Sequence, residues 1–522
     1  MPFPAERQVQ VMKKRIFKAA AIAVASVMSL TAAISYAGPA FAAEDAVVLR
    51  VCNWEEYIDE GDWDDDELID LESADIFGEN NMIDDFEEWY YETYGVRVRV
   101  EYSTFGTNEE LYSQLTLGDT FDLVCPSDYM IMKLMKEEAL EPLSEEFFDE
   151  SNELNYYING VSPYIRGIFE ENEIDGESWS EYAAGYMWGI TGVVYNPEYV
   201  DEEEASTWSI LTNEKFFRQV TVKDNVRDAY FPTLAILNEE LLLSDEFKNA
   251  ADYREQLSDI MNDVDFATID AAEAKLKEIR ENVYSFETDS GKADMVSGKV
   301  VANIQWSGDG VYALDQAEED DLYLEWAVPE ECTNLWFDGW VMLKSGINGD
   351  AAKKQAAEAF INFLSRTDNV VRNMYYIGYT STIAGGDSTL VYEYADWTYG
   401  ASEDEEDVVE YPVGYFFSGD NQDEDYIITA PADQLHRQLA AQYPSQEEIY
   451  RSAVMEYFDD DANEAINQMW INVRCFNLSM ISARGWIGAG IVIAGAAAVI
   501  LLVVFRHKIF RRPAPRGYKR IT

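Results

Sequence analysis

Three stretches of the chain place aromatic side chains beside acids or hydroxyls where short apolar runs end. Trp54, Glu56 and Tyr57 follow Val47–Val51, Ser127 and Tyr129 follow Phe121–Cys125, and Trp306 closes Val300–Trp306. Carboxylates next to indole and phenol rings suit a ligand that carries ammonium groups on an apolar linker. A charge-assisted hydrogen bond is about twice as strong as a neutral one, and a cation over an aromatic face gains about 0.5–2 kcal/mol. The linker's methylenes bury well against the same rings. Glu56, Asp228 and Asp338 supply acids for this chemistry, and Trp54, Tyr57, Tyr129, Trp306, Trp336 and Tyr379 supply rings. With 13 Trp, 33 Tyr and 99 Asp+Glu in the chain, acids near aromatics arise by chance. Core packing is the commoner role of a lone Trp, and a turn or helix cap that of a lone Asp. Pattern alone does not single these residues out.

Other chemistries fare worse. The 522 residues carry 38 Lys+Arg against 99 Asp+Glu, a net charge of −61, which lacks the basic footprint of a nucleic-acid binder. Two His and four Cys leave little for a transition-metal site or a His-based triad. Adjacent acids such as Glu55 and Glu56 carry no weight as a glycosidase pair in so acidic a chain. The runs Asp64–Glu67 and Asp459–Asp461 lack the alternating ligands and central Gly of a calcium loop and read as solvated surface. No Walker A loop is present. Cys52 and Cys125 end two expected strands and are expected to be neighbours, as a disulfide or as two buried thiols. No catalytic residue, cofactor or metal is assigned.

The elements that must position these groups alternate strand and helix. Strands are expected at Val47–Val51, Val96–Tyr102, Phe121–Cys125, Gln219–Lys223, Val300–Trp306, Leu324–Val328 and Trp340–Leu343, with a strand-pair region at Met187–Tyr195. Helices are expected at Met82–Tyr94, Asn108–Leu117, Met130–Glu138, Tyr230–Glu240, Ala351–Arg366 and Gln446–Val473, and acidic loops at Gly61–Asn81, Glu403–Glu410 and Gly419–Asp425. Such alternation predicts an α/β fold with a mainly parallel sheet, whose ligands sit at the carboxyl ends of strands. The two ends read differently. Residues 1–42 combine basic residues, an apolar stretch and Ala40-Phe41-Ala42, a secretory signal with cleavage expected after Ala42. Trp486–Phe505 is uncharged and long enough for one transmembrane helix, and the basic tail 506–522 predicts a cytoplasmic C-terminus with the bulk outside.

Several motifs occur in one order along residues 46–475: NWEEY (Asn53–Tyr57), YSTFGTNEELY (Tyr102–Tyr112), FDLVCPSDYMI (Phe121–Ile131), MWGITGVVYN (Met187–Asn196), KDNVRD (Lys223–Asp228), NIQWSGD (Asn303–Asp309), LWFDG (Leu335–Gly339), INFLSR (Ile361–Arg366) and IGYTS (Ile377–Ser381). On these the chain resembles the spermidine/putrescine-binding proteins of ABC importers, a branch of the two-lobed type II periplasmic binding fold. The resemblance implies that Trp54, Tyr57, Tyr129, Trp306, Trp336 and Tyr379 line a slot. It implies that Glu56, Asp228 and Asp338 pair with amines and that Ser127 adds a polar contact. The family has a further acid where this chain has Asn225, with Asp224 adjacent as a substitute, a departure that weakens triamine recognition and favours a diamine. The implied boundaries are 43–188 and 338–398 for one lobe and 189–337 and 399–483 for the other. The implied partners are a polyamine, an ABC permease with its ATPase, and the membrane through the C-terminal helix, with no nucleic acid. The alternatives are a sensor ectodomain, for which the 17 residues after Phe505 are few, and a binder of another small organic cation.

Overall fold

The structure is a computed structural model and describes residues 46–475, apart from positions 65, 66, 289 and 403. The chain divides into two compact units, Met1–Ile466 and Asn467–Thr522, and the sheet and the site lie in the first. Strand β1 (Val47–Trp54) lies parallel to β2 (Val98–Phe105) along its whole length and to β3 (Leu123–Val124) near its end. Helices α1 (Met82–Tyr94), α2 (Asn108–Leu117) and α3 (Asp128–Lys136) connect and follow these strands. Helix α1 starts where the Asn81 side chain accepts from the Ile83 N–H and stops at Gly95, whose φ of 68° a side chain would resist.

A long strand, β4 (Ala183–Tyr195), leads to a second parallel block. There β5 (Val220–Lys223) precedes α4 (Val226–Leu237), then come β6 (Ser285–Glu287), β7 (Ala302–Trp306) and α5 (Ser307–Glu319). Strand β5 pairs parallel with both β6 and β7. The chain returns through β8 (Thr333–Leu343), then α6 (Ala351–Leu364) and α7 (Thr367–Ile377). Strand order is β6-β5-β7-β4-β8-β3-β1-β2. The two parallel blocks are thus joined by β4 and β8, which run antiparallel to each other and to β7 and β3 on either side. Every residue of both joining strands is buried, as strands covered on both faces must be. On one side Phe360 of α6 meets Phe86 edge-on at 4.9 Å and Trp340 at 5.5 Å between ring centroids.

Several expectations are corrected. The sheet is mixed rather than mainly parallel, because both joining strands reverse direction. The strand-pair region at Met187–Tyr195 is one continuous strand. The helix expected over Gln446–Val473 is broken into Gln446–Tyr450 and α8 (Asp460–Arg474), and between them Ser452–Ala453 adds to β8. The acidic loop at Gly61–Asn81 holds a two-residue strand pair, Ile69–Asp70 with Asp75–Ile76, and Val408–Pro412 is a strand paired with Ile427–Pro431. Cys52 and Cys125 are neighbours, with the Cys125 N–H donating to the Cys52 carbonyl at 3.1 Å, and both are free buried thiols. The fold was also expected to end in a transmembrane helix. Among the described residues no helix is long and apolar enough to cross a membrane, and 486–505 lies outside them, as do residues 1–42 and 506–522.

Candidate functional site

Asp338 sits at a β-bulge. The β8–β4 register pairs Asp338 with Met187 but Gly339 with Gly185, so Tyr186 is the extra residue. A bulge re-aims side chains, and here it joins three segments. The Tyr186 hydroxyl donates to the Tyr57 carbonyl at 2.6 Å and receives a hydrogen bond from the Asn373 amide at 2.7 Å. Tyr57, so held, donates its hydroxyl to Asp338 Oδ2 at 2.8 Å, while Ser127 donates to Oδ1 at 2.7 Å. Ser127 also forms an isolated bridge with Asp338. Burial pushes the Asp338 carboxyl up to about 6 against these two donors, and the charge of Asp228 adds to the rise.

Contacts running through Trp306, Lys223, Asp309, Tyr379 and Tyr57 join Asp228 to Asp338. Asp228 lies in the first turn of α4, whose N-cap is Asn225, and accepts from Trp306 Nε1 at 3.0 Å. Burial lifts it to about 6 also, opposed by that hydrogen bond and by the charges of Lys223 and Arg227. Arg227 stacks over the Tyr129 ring at 4.5 Å and the Phe458 ring at 3.8 Å, and donates to the Glu456 carbonyl at 2.8 Å. The Tyr129 hydroxyl donates to Glu109 at 3.1 Å and accepts from Asn108 at 3.1 Å. Beneath Tyr129, Asp128 is lifted to about 8 by burial, which outweighs hydrogen bonds from the Tyr129 and Phe337 backbone.

The rings are contiguous with the acids. Tyr379 meets Tyr57 edge-on at 5.1 Å and Trp336 at 5.9 Å. Two glycines make room: a Cβ on Gly189 would stand 2.6 Å from the Trp336 ring, and one on Gly308 2.4 Å from the Tyr379 ring. Trp336 Nε1 is buried without a hydrogen-bond partner among the described residues. The Tyr379 hydroxyl donates at 3.0 Å to Asp309, which also takes Lys223 at 3.2 Å and Lys292 at 3.0 Å. Burial opposes ionisation of Asp309, but the two lysines outweigh it and hold the carboxyl below its ordinary range.

Tyr57, Ser127, Tyr129, Asp228, Trp306, Trp336, Asp338 and Tyr379 therefore belong to one connected set. Others among the expected residues stand apart. Glu56 is exposed in left-handed backbone, φ 53°, and the group whose ionisation feels its charge is Tyr312. Trp54 packs on Phe105 at 4.6 Å. Asn225 accepts from the Arg227 N–H at 2.8 Å, a capping role, and half-buried Asp224 donates its N–H to the Glu287 carbonyl at 2.8 Å. Sequence reasoning missed Asn108, Glu109, Asp128, Lys223, Arg227 and Asp309. All lie within motifs quoted above, yet the cations among them are the wrong sign for an amine site and were passed over.

Residues 81–389, more than half of the chain, match the family of bacterial extracellular solute-binding proteins, and the chain belongs to that family. It is a family of binding proteins rather than of enzymes. The chain is 26% identical over 284 residues to the spermidine/putrescine-binding periplasmic protein of Escherichia coli, covering 54% of this chain and 70% of that protein. It is 25% identical over 356 residues to the putrescine-binding periplasmic protein SpuD of Pseudomonas aeruginosa, covering 66% of this chain and 80% of that one. Its fold is that of the spermidine/putrescine ABC transporter substrate-binding protein PotD from Streptococcus pneumoniae, with a TM-score of 0.51 at 21% identity over 82% of this chain and 99% of that one.

Proposed function

We propose that this chain captures a polyamine outside the cytoplasm and delivers it to an ABC permease driven by a separate ATPase. The observation that carries the reading is the acid pair. Asp338 and Asp228 are buried, the charge of Asp228 helps to raise Asp338, and both take their hydrogen bonds from neutral donors, Tyr57, Ser127 and Trp306. Two such carboxylates are poorly solvated anions, and an ammonium at each would relieve both. Tyr57, Tyr379 and Trp336 supply a continuous aromatic wall for the methylenes between. The relatives' names support the same ligand class. Capture is a population shift toward a closed arrangement of the two lobes, since only there does the ligand touch residues from both blocks.

Calorimetry of the purified chain with putrescine, cadaverine, spermidine, spermine and an amino-acid control tests this. At least one polyamine binds and the control does not. Flat titrations for every amine overturn the reading.

A further inference from the structure

Lys223 ends β5 with its side chain 1% exposed. Its ammonium stands 4.1 Å from the centroid of the Trp306 ring, 3.2 Å from Asp309 Oδ2, and donates to the Thr288 carbonyl at 3.0 Å. An aromatic face, a carboxylate and a carbonyl are the partners that a bound amine would take. Lysine is itself a primary amine on four methylenes, so the chain supplies at this position what a ligand would otherwise bring. The carboxylate there is also fully engaged, because Asp309 holds Lys292 and the Tyr379 hydroxyl besides Lys223. Asp228, which accepts from the N–H of the same indole, and Asp338, which accepts from the Tyr57 and Ser127 hydroxyls, take their side-chain hydrogen bonds from neutral donors, with no ammonium in contact among the described residues.

Resting on the polyamine reading above, we propose that Lys223 is a specificity-determining residue, a built-in ammonium that fills the Trp306–Asp309 end of the site and fits it to an α,ω-diamine in preference to a triamine. One ligand ammonium answers Asp228 and the other Asp338. A third would approach Lys223, a like charge in a buried site where water screens poorly. Lys223 does not yield by turning outward, since that would strip Asp309 and the Thr288 carbonyl of a donor.

The test is calorimetry on the full chain at pH 7.5 with putrescine and spermidine. Wild type binds the diamine at least about tenfold more tightly, as like-charge juxtaposition requires. Lys223→Met, similar in length and uncharged, shifts the ratio of the two affinities toward the triamine by at least about tenfold. Where that variant fails to fold, Lys223→Met combined with Asp309→Asn removes both members of the pair and carries the same expectation. Equal affinity of wild type for the two amines overturns the assignment, as does an unchanged ratio in a folded variant, and either leaves polyamine binding standing. Absence of heat with both amines in wild type overturns the assignment too, and where cadaverine and spermine are also silent it removes the polyamine reading itself.

Discussion

Asp338 and Asp309 are alike in burial, 6% and 7% exposed, and are linked through the touching rings of Tyr57 and Tyr379, yet they answer burial in opposite ways. Asp309 has two lysine ammoniums against it and stays ionised below the usual carboxylate range. Asp338 has two hydroxyls and rises to about 6. Hydroxyls satisfy lone pairs without cancelling charge. An acid whose charge the chain already neutralises belongs to the fold, whereas one given neutral donors alone that still ionises at neutral pH, as Asp128 at about 8 does not, is a charge deficit that a ligand cation can fill. For Asp338 the folded value lies above the unfolded carboxylate near 3.9, so the native state binds the extra proton between them. That contribution to stability is present below the unfolded value and is lost as pH rises through about 6. At neutral pH an empty Asp338 therefore works against folding, on the order of 1–3 kcal/mol.

The sharpest test of this contrast exchanges the outcomes of one substitution at the two sites. Asp309→Asn leaves Lys223 buried without its counter-ion, and such losses cost about 3–5 kcal/mol. The lower end is expected, because Lys292 is partly exposed and Lys223 keeps the Thr288 carbonyl. Asp338→Asn instead leaves the ligand-free protein as stable or about 1 kcal/mol more so, while weakening polyamine binding by at least about 30-fold. Denaturant unfolding and calorimetry on both variants check this. An Asp309→Asn protein of undiminished stability would break the contrast.

The same two acids make the affinity depend on pH. Asp338 and Asp228 both titrate near 6 in the empty site, and a bound ammonium needs them ionised. Lowering pH from 7.5 to 5 is expected to weaken polyamine affinity by about tenfold for each carboxylate. In Asp338→Asn only the Asp228 step remains. Affinity independent of pH over that interval would show that neither acid meets the ligand.

How much of this was legible varies with the physics. Helix α1 was readable to the residue because a side-chain cap at Asn81 and a left-handed glycine at Gly95 are local signals. Strand β4 was read as a pair because all 13 of its residues are buried, so it has no alternation to mark its length. The bulge at Asp338 depends on register between strands about 150 positions apart, and no local sequence feature encodes it. Asp338 was found through the LWFDG motif, and the geometry supplies the reason for an acid there. Lys223 and Arg227 lay inside KDNVRD in plain view. Their effect arises from what they pair with in space, Asp309 and Tyr129, and charge counting along the chain did not show it.

The least of the expected effects lies one step behind Asp338. Asn108 is buried at the start of α2, where its Oδ1 accepts from the Ser127 N–H at 3.1 Å and its amide donates to Tyr129 at 3.1 Å. It touches neither acid, yet it sets the position from which Ser127 reaches Asp338. Asn108→Ala deletes one neutral hydrogen bond to each neighbour, worth about 1 kcal/mol net, so polyamine affinity should fall about fivefold. The pH step near 6 should stay where it is, because the donors on the Asp338 carboxylate are unchanged. Ser127→Ala, which removes a donor from the carboxylate itself, should weaken binding and move that step upward. If Asn108→Ala moved the step as well, Asn108 would be acting on the charge of Asp338 and not on the placement of Ser127, and the separation between neutral scaffolding and charge compensation would be less clean than the geometry indicates.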